Sequence, residues 1–330
     1  MGSSPPLFPI YVRQGRSWSN YKVGYMDSNA SVRIAPEFDD GLPFSEGFAA
    51  VSIKGKWGYI NKLGETAIAP VLKSGSYFEE GRAVTSLKKR GYINTIGEWA
   101  VPPRYDLAAE FSEGLAWIGA ADLFGFVDPS GAEIIPRVYQ SVRGFVSGLA
   151  AVQVGKKWGY INRDNQFLIE PRFDGCVAGP FNEGLARAAE GERWGFINRA
   201  GEFAIEPQFE MAYDFREGRA PVEIEGKTGY IDHTGKIVIA PVYEYCREFA
   251  DGVAAVSLAG KPFGNKFGRT GFIDPNGDFV IPPRFGETGR FRSGLCLVTT
   301  EKEIGYIDKS GEFVWKGPYV DSRLGSDLRL

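Results

Sequence analysis

The chain has one histidine, His233, and three cysteines, Cys176, Cys246 and Cys296, with no Cys-x-x-Cys pair and no Cys/His cluster at ligand spacing. A histidine-based triad or metal centre would rest on a single side chain, so both are set aside and no cofactor is expected. Scarce, unpaired thiols favour a reducing compartment, hence the cytoplasm. No apolar run approaches the ~18 residues needed to cross a bilayer. The start, Met1-Gly2-Ser3-Ser4-Pro5-Pro6, lacks a positive charge followed by an apolar stretch, so no signal peptide is expected. A net charge of −3 gives no basic footprint, and nucleic acid is not an expected partner. Segments of helical period are also missing.

What the chain has instead is repetition. The stretch Lys56-Trp57-Gly58-Tyr59-Ile60-Asn61 returns to the end of the sequence, with its glycine at Gly24, Gly58, Gly91, Gly125, Gly159, Gly195, Gly229, Gly271 and Gly305. Successive copies lie 33 to 36 residues apart, except for one interval of 42. Each glycine is followed by an aromatic, an aliphatic or Met, and then Asn or Asp. A fixed period of this length means a repeat architecture, in which each unit buries its apolar face on its neighbours. The 43 glycines and 20 prolines fall at fixed places in the repeat and punctuate turns; they do not signal disorder.

One unit runs from Phe44 to Tyr77. Phe44-Ser45-Glu46-Gly47 opens it, Phe48 to Ile53 is a first strand, and the tip Lys54-Gly55-Lys56 leads to a second strand, Trp57 to Asn61. Asn61-Lys62-Leu63-Gly64 is a turn in which the Asx side chain bonds its own backbone and glycine supplies positive φ. The third strand, Glu65 to Ala69, is expected to stop at Pro70, which has no N–H for a ladder. Each unit therefore reads as a three-stranded antiparallel meander. Residues 1–318 form nine such units, and 319–330 form a polar C-terminal tail.

Aligned copies separate inside from outside. Ala49, Ala83, Ala116, Ala150, Ala186, Ala220, Ala254 and Cys296 share one column, and Val51, Ile118, Val152 and Val256 stand in the column two residues on. Period two puts both on one face of the first strand, packed closely against another backbone. The column between them (Ala50, Val84, Trp117, Ala151, Arg187, Pro221, Ala255, Leu297) is mixed, as expected of a face nearer solvent or ligand.

These elements in phase (Trp-Gly-Tyr-Ile-Asn, Phe-x-Glu-Gly and Ile-x-Pro) resemble the bacterial WG-repeat, or KWG-repeat, family over nearly the whole chain. Only Trp57, Trp158 and Trp194 keep the namesake tryptophan; Val23, Arg90, Phe124, Thr228, Thr270 and Ile304 replace it. The resemblance implies a repeat-built interaction module and carries over no catalytic residue.

The expected fold is all-β, nine ~34-residue units stacked as an elongated or superhelical solenoid. A closed β-propeller or ring is the alternative. The objections to it are that three strands in such a span are few for a blade of roughly 40–45 residues, and that no split terminal unit is visible.

The repeated acids of the opening motif (Glu46, Glu80, Glu113, Glu183, Glu217, Asp251) raise a paired-carboxylate glycosidase, which needs two carboxyls roughly 5 Å apart or somewhat more. Serine replaces the acid at Ser147 and Ser293, and repetition favours a turn role. The Asx column likewise favours turns over calcium, and the cysteines read as small packed residues. Departures from the repeat are the better binding candidates. These are Trp117, Arg187 and an insertion at the tip of unit eight carrying Lys261, Phe263, Lys266, Phe267 and Arg269. The leading expectation is a monomeric, non-enzymatic scaffold offering an extended surface to a protein or polymeric glycan. A carbohydrate-active enzyme using two opening acids, or a structural spacer in a larger assembly, are the alternatives.

Overall fold

The computed structural model describes residues 5–15, 20–174, 179–258 and 270–318. Among them there is no helix, and the strands form nine small antiparallel sheets in chain order. By compactness the chain divides into two units. One comprises Met1–Phe44, Lys62–Gly64 and Phe215–Leu330; the other comprises Ser45–Asn61 and Glu65–Asp214.

Within the second unit, the sheet of the fourth repeat shows how a unit is built. Ala116–Ala120, Leu123–Val127 and Glu133–Tyr139 form the expected meander, and a fourth strand, Leu107–Ala108, pairs with the first. The three-stranded expectation is corrected here. The connector returns as a two-residue leading strand because Phe-x-Glu-Gly is itself a hairpin turn. Ser112 N–H bonds Leu115 O at 2.9 Å and Leu115 N–H bonds Ser112 O at 3.2 Å, closing a two-residue loop. Glu113 and Gly114 both have positive φ, 53° and 78°, the requirement of a type I′ turn.

A second correction concerns proline. The third strand does not stop there: Thr66–Leu72 runs through Pro70, and Phe167–Phe173 through Pro171. A bulge explains it. Tyr59 faces Ile68 while Trp57 faces Leu72, so extra residues on the third strand stand opposite Gly58. A bulged residue owes no N–H to the ladder, which is where proline is tolerated inside a sheet. The bulge pushes backbone against the motif glycine: a Cβ on Gly58 would lie 2.5 Å from Ile68 O.

The alanine and valine columns are the core as expected, with Ala49, Ala83, Ala116, Ala150, Ala186 and Ala220 essentially inaccessible. The intervening column is not the wet face that its mixture implied. Ala50, Val84, Ala151, Ala255 and Leu297 are buried too, because a neighbouring sheet covers each side. In this column Trp117 and Arg187 are the half-buried exceptions.

Neighbouring sheets are joined by side chains of the repeat. The tyrosine after the motif glycine donates its hydroxyl to a carbonyl of the following connector: Tyr25 to Leu42 at 2.8 Å, Tyr59 to Ser76 at 3.1 Å, Tyr92 to Ala109 at 2.8 Å and Tyr230 to Arg247 at 2.7 Å. The same rings meet the next opening phenylalanine edge-on or tilted, with Tyr59–Phe78 centroids 4.8 Å apart and Tyr160–Phe181 5.0 Å apart. Edge contacts of this kind add to simple burial.

Within the first unit this pattern also joins the chain's two ends. Tyr306, the ninth copy of the ring, packs on Phe8 with centroids 5.4 Å apart and planes at 64°, so Phe8 takes the place of an opening phenylalanine. A Cβ on Gly317 would lie 3.3 Å from Tyr11 O, so the last strand also approaches the first closely. The first and last sheets are therefore packed neighbours, as in a propeller and unlike the free ends expected of a solenoid. No strand is exchanged at the join: Phe8–Arg13 pairs with Tyr21–Met26, and Phe313–Pro318 with Glu303–Ile307. Packing alone does what a split unit was expected to do.

The Asx column caps turns. Asp128 accepts the backbone N–H of Ser130 and Ala132 and the Ser130 hydroxyl, and Asp232 and Asp308 repeat this with Thr234 and Ser310. Those hydroxyls above all, with backbone N–H groups adding to them, hold the three carboxyls below the usual range. Asp274 is held down foremost by the N–H of Asp278. Because the folded values are depressed, this stabilisation is complete above the unfolded carboxyl pKa and is lost as pH falls through the folded ones. Thermal stability should therefore stay level down to about pH 4 and decline below it. Converting Asp128, Asp232, Asp274 and Asp308 together to Asn, the residue already present at Asn61 and Asn198, should flatten that decline. An unchanged acid limb in scanning calorimetry would contradict the assignment.

Candidate functional site

The residues that repeat are occupied by architecture. The carboxylate of Glu46 accepts the backbone N–H of Glu80 and of Gly81, both at 2.9 Å. Glu113 does the same to Ser147 at 2.6 Å and Gly148 at 2.8 Å. Glu80, Glu217 and Asp251 hold Gly114, Gly252 and Gly294 at 2.8, 2.9 and 3.0 Å. Two successive residues at positive φ aim their N–H groups outward as a small anion-binding nest, and the preceding acid fills it. The opening acid is thus at once a turn residue and a clasp on the following sheet.

His233 is exposed at its turn and stacks on Phe215 with centroids 4.4 Å apart and planes at 10°. Arg199, in the same column, sits over Phe181 at 5.6 Å and donates to Ser147 O at 2.8 Å. A column read as merely solvent-facing therefore packs on its own unit's opening phenylalanine, and through Arg199 it also reaches the preceding unit. Cys246 and Cys296 are buried and their thiols pushed upward by burial, which keeps them protonated. Cys176 lies outside the described residues.

Of the binding candidates, Lys261, Phe263, Lys266, Phe267 and Arg269 also lie outside the described residues. Arg187 is engaged within the second unit: its Nε is 3.1 Å from Asp214 Oδ1, it donates to Ala212 O at 3.0 Å, and it lies 5.9 Å from the Trp194 ring. Trp117 is different. Half-buried on the first strand of its sheet, it lines a cavity of about 330 Å³ together with Ser74, Ser76, Thr85, Arg90 and Glu110. Arg187 does not line it.

The cavity forms because the repeat fails at this place. Where Trp57 stands in its own copy, packed so that a Cβ on Gly75 would lie 2.6 Å from its ring, the next copy has Arg90, which is exposed. One guanidinium N–H of Arg90 donates to Ala108 O at 3.1 Å. Thr85 donates to Ser74 O at 2.6 Å, and the hydroxyls of Ser74 and Ser86 are 2.9 Å apart, so part of the wall is tied together internally. Phe124 packs on Trp117 with centroids 5.7 Å apart and planes at 71°. Glu110 is exposed, and burial foremost, with the fields of Tyr105 and Glu110 behind it, pushes the Tyr92 hydroxyl upward. Tyr92 therefore remains a donor to Ala109 O.

Sequence reasoning singled out Trp117 and passed over Arg90 and Glu110. Arg90 was visible as a substitution of the motif tryptophan. Glu110 was not, since the residue before the opening phenylalanine varies freely (Pro43, Tyr77, Gly144, Asp214, Glu248) and no period marks it. Among the described residues no group of acids, cysteines and histidine is arranged to hold a metal ion. No helix among them is long and apolar enough to cross a membrane, which says nothing of a β-barrel.

Solved structures share this architecture at low sequence identity. A crystal structure of the eukaryotic initiation factor aligns with a TM-score of 0.65 at 12% identity, covering 96% of this chain and 97% of that one. The dihydro-heme d1 dehydrogenase NirN, in complex with DHE, aligns with a TM-score of 0.50 at 12% identity, covering 100% of this chain and 79% of that one. At such identity the likeness concerns the fold alone, and that fold is a β-propeller, here with nine sheets among the described residues. No curated protein matches the chain in sequence. The WG containing repeat matches eight times, over residues 24–57, 57–89, 91–119, 124–158, 158–193, 194–227, 229–261 and 271–302, and the chain belongs to that family.

Proposed function

We propose that the protein is a non-enzymatic binding scaffold that offers a blade-built surface to a protein or a polymeric glycan. The observation that carries this reading is where the repeated acids spend their carboxylates. Glu46, Glu80, Glu113, Glu217 and Asp251 each take backbone N–H groups of the next blade, leaving none of the five differentiated as acid or nucleophile. The departure from the repeat at Arg90, Glu110 and Trp117 supports it too, since these side chains line a recess.

Substitution at Glu113 tests the reading. Glu113→Gln retains an acceptor oxygen and loses the charge, so stability should fall by about 1 kcal/mol, discounted for exposure. Immobilised polysaccharides and proteins should be retained equally by wild type and variant, and incubation with the same polymers should release no reducing ends. Reducing-end release by wild type that Glu113→Gln abolishes without unfolding would overturn the scaffold and reinstate the paired-carboxylate enzyme.

A further inference from the structure

We propose that the cavity at Arg90, Glu110 and Trp117 is a subsite for one sugar ring of a neutral glycan; this rests on the scaffold reading and names a ligand class for one of its sites. Its volume of about 330 Å³ is at the small end of the roughly 300–1,000 Å³ typical of ligand pockets, suited to a single ring with its substituents.

The chemistry of the lining selects the ligand. Arg90 is donor-only and gives one bond to Ala108 O, so most of its guanidinium fork is unused by that contact. Glu110 is acceptor-only when ionised, and it has no ion-pair or hydrogen-bond partner among the described residues. A carboxylate and a guanidinium on one cavity disfavour a charged occupant, because an anion drawn to Arg90 meets Glu110 and a cation drawn to Glu110 meets Arg90. A vicinal diol satisfies both at once, one hydroxyl accepting from Arg90 and its neighbour donating to Glu110. Trp117 supplies an aromatic surface for the apolar C–H face of such a ring, and Phe124 holds the indole in place. The internal bonds of Thr85 and Ser74 present a preset wall, so little ordering is needed on binding. A peptide would offer its amides in a fixed alternation, and its charged side chains would meet one unfavourable partner each.

The test uses the full chain titrated with hexasaccharides of α-1,4-glucose, β-1,4-glucose and β-1,4-N-acetylglucosamine, with hexagalacturonate as the acidic comparison. Isothermal titration calorimetry and saturation-transfer NMR are the readouts. At least one neutral hexasaccharide should bind, more tightly than hexagalacturonate. Affinity should fall about tenfold in Glu110→Gln and in Arg90→Lys, and be lost in Trp117→Ala. Glu110 is exposed, so its variant keeps the test valid if Trp117→Ala fails to fold. Binding that survives all three substitutions would overturn the subsite while leaving a glycan scaffold that binds elsewhere. Binding of none of the hexasaccharides, with a peptide library captured by wild type and lost in Glu110→Gln, would overturn the sugar assignment and keep the scaffold. The scaffold itself is judged separately, by the reducing-end assay on Glu113→Gln.

Discussion

Gly159→Ala should destabilise the protein by about 3 kcal/mol or more, although it adds a single methyl group to a strand. The added carbon would sit 2.5 Å from Ile169 O and 2.7 Å from Pro171 N, closer than van der Waals contact allows. Neither neighbour is the end of a flexible side chain. Both belong to the bulged backbone of Phe167–Phe173, which is fixed by pairing with Lys157–Ile161. Relief requires unpairing the bulge, and with it Ile169 and Phe173, both buried in the core of this blade. Gly144→Ala is the matched control: its nearest neighbour would be Ser112 Cβ at 3.8 Å, and its φ is not positive, so the change should be near neutral or slightly stabilising. Guanidinium unfolding of the two variants decides the matter. Equal midpoints would mean that the motif glycine is not held by the bulge.

Phe8→Ala should cost about 3 kcal/mol, within the range for truncating a buried phenylalanine, despite lying near the start of the chain. The reason is its contact with Tyr306, which it meets as the opening phenylalanines meet the other copies. The location of the damage is the stronger readout. In an open array, a terminal truncation would loosen only the first unit. In a closed one it should also lower amide-exchange protection in Glu303–Ile307, some three hundred residues away in sequence. Loss confined to Phe8–Arg13 and Tyr21–Met26 would contradict closure. An exposed residue such as Ile96, changed to Ala, should leave both regions unaffected.

Much of a single blade was legible from sequence because its signals are local. Period-two columns located the seam at Ala49, Ala83 and Ala116, and the Asx-x-x-Gly spacing located the turns that Asp128 and Asn61 cap. The bulge was misread because proline, taken alone, argues for a strand end; only the pairing of Tyr59 with Ile68 and Trp57 with Leu72 shows a strand that continues past it. The role of Glu113 was half legible. Its place in a turn could be read, but its partner lies on the next blade at Ser147, and the hydrogen bond exists only once the two turns are side by side. The candidate site was the least legible part. Trp117 stood out as a large residue in a mixed column, whereas Glu110 acquires meaning only by sharing a cavity with Arg90.

By itself the sequence determined the unit: its length, its three-stranded meander, its turn chemistry, and the alanine seam that each copy must bury. Those follow from backbone sterics and side-chain periodicity within some thirty-four residues, repeated nine times over. Only the tertiary structure decided that the last copy meets the first. That meeting brings together residues from the first and ninth copies, a contact that no single copy encodes. It is visible here in one aromatic pair, Phe8 on Tyr306.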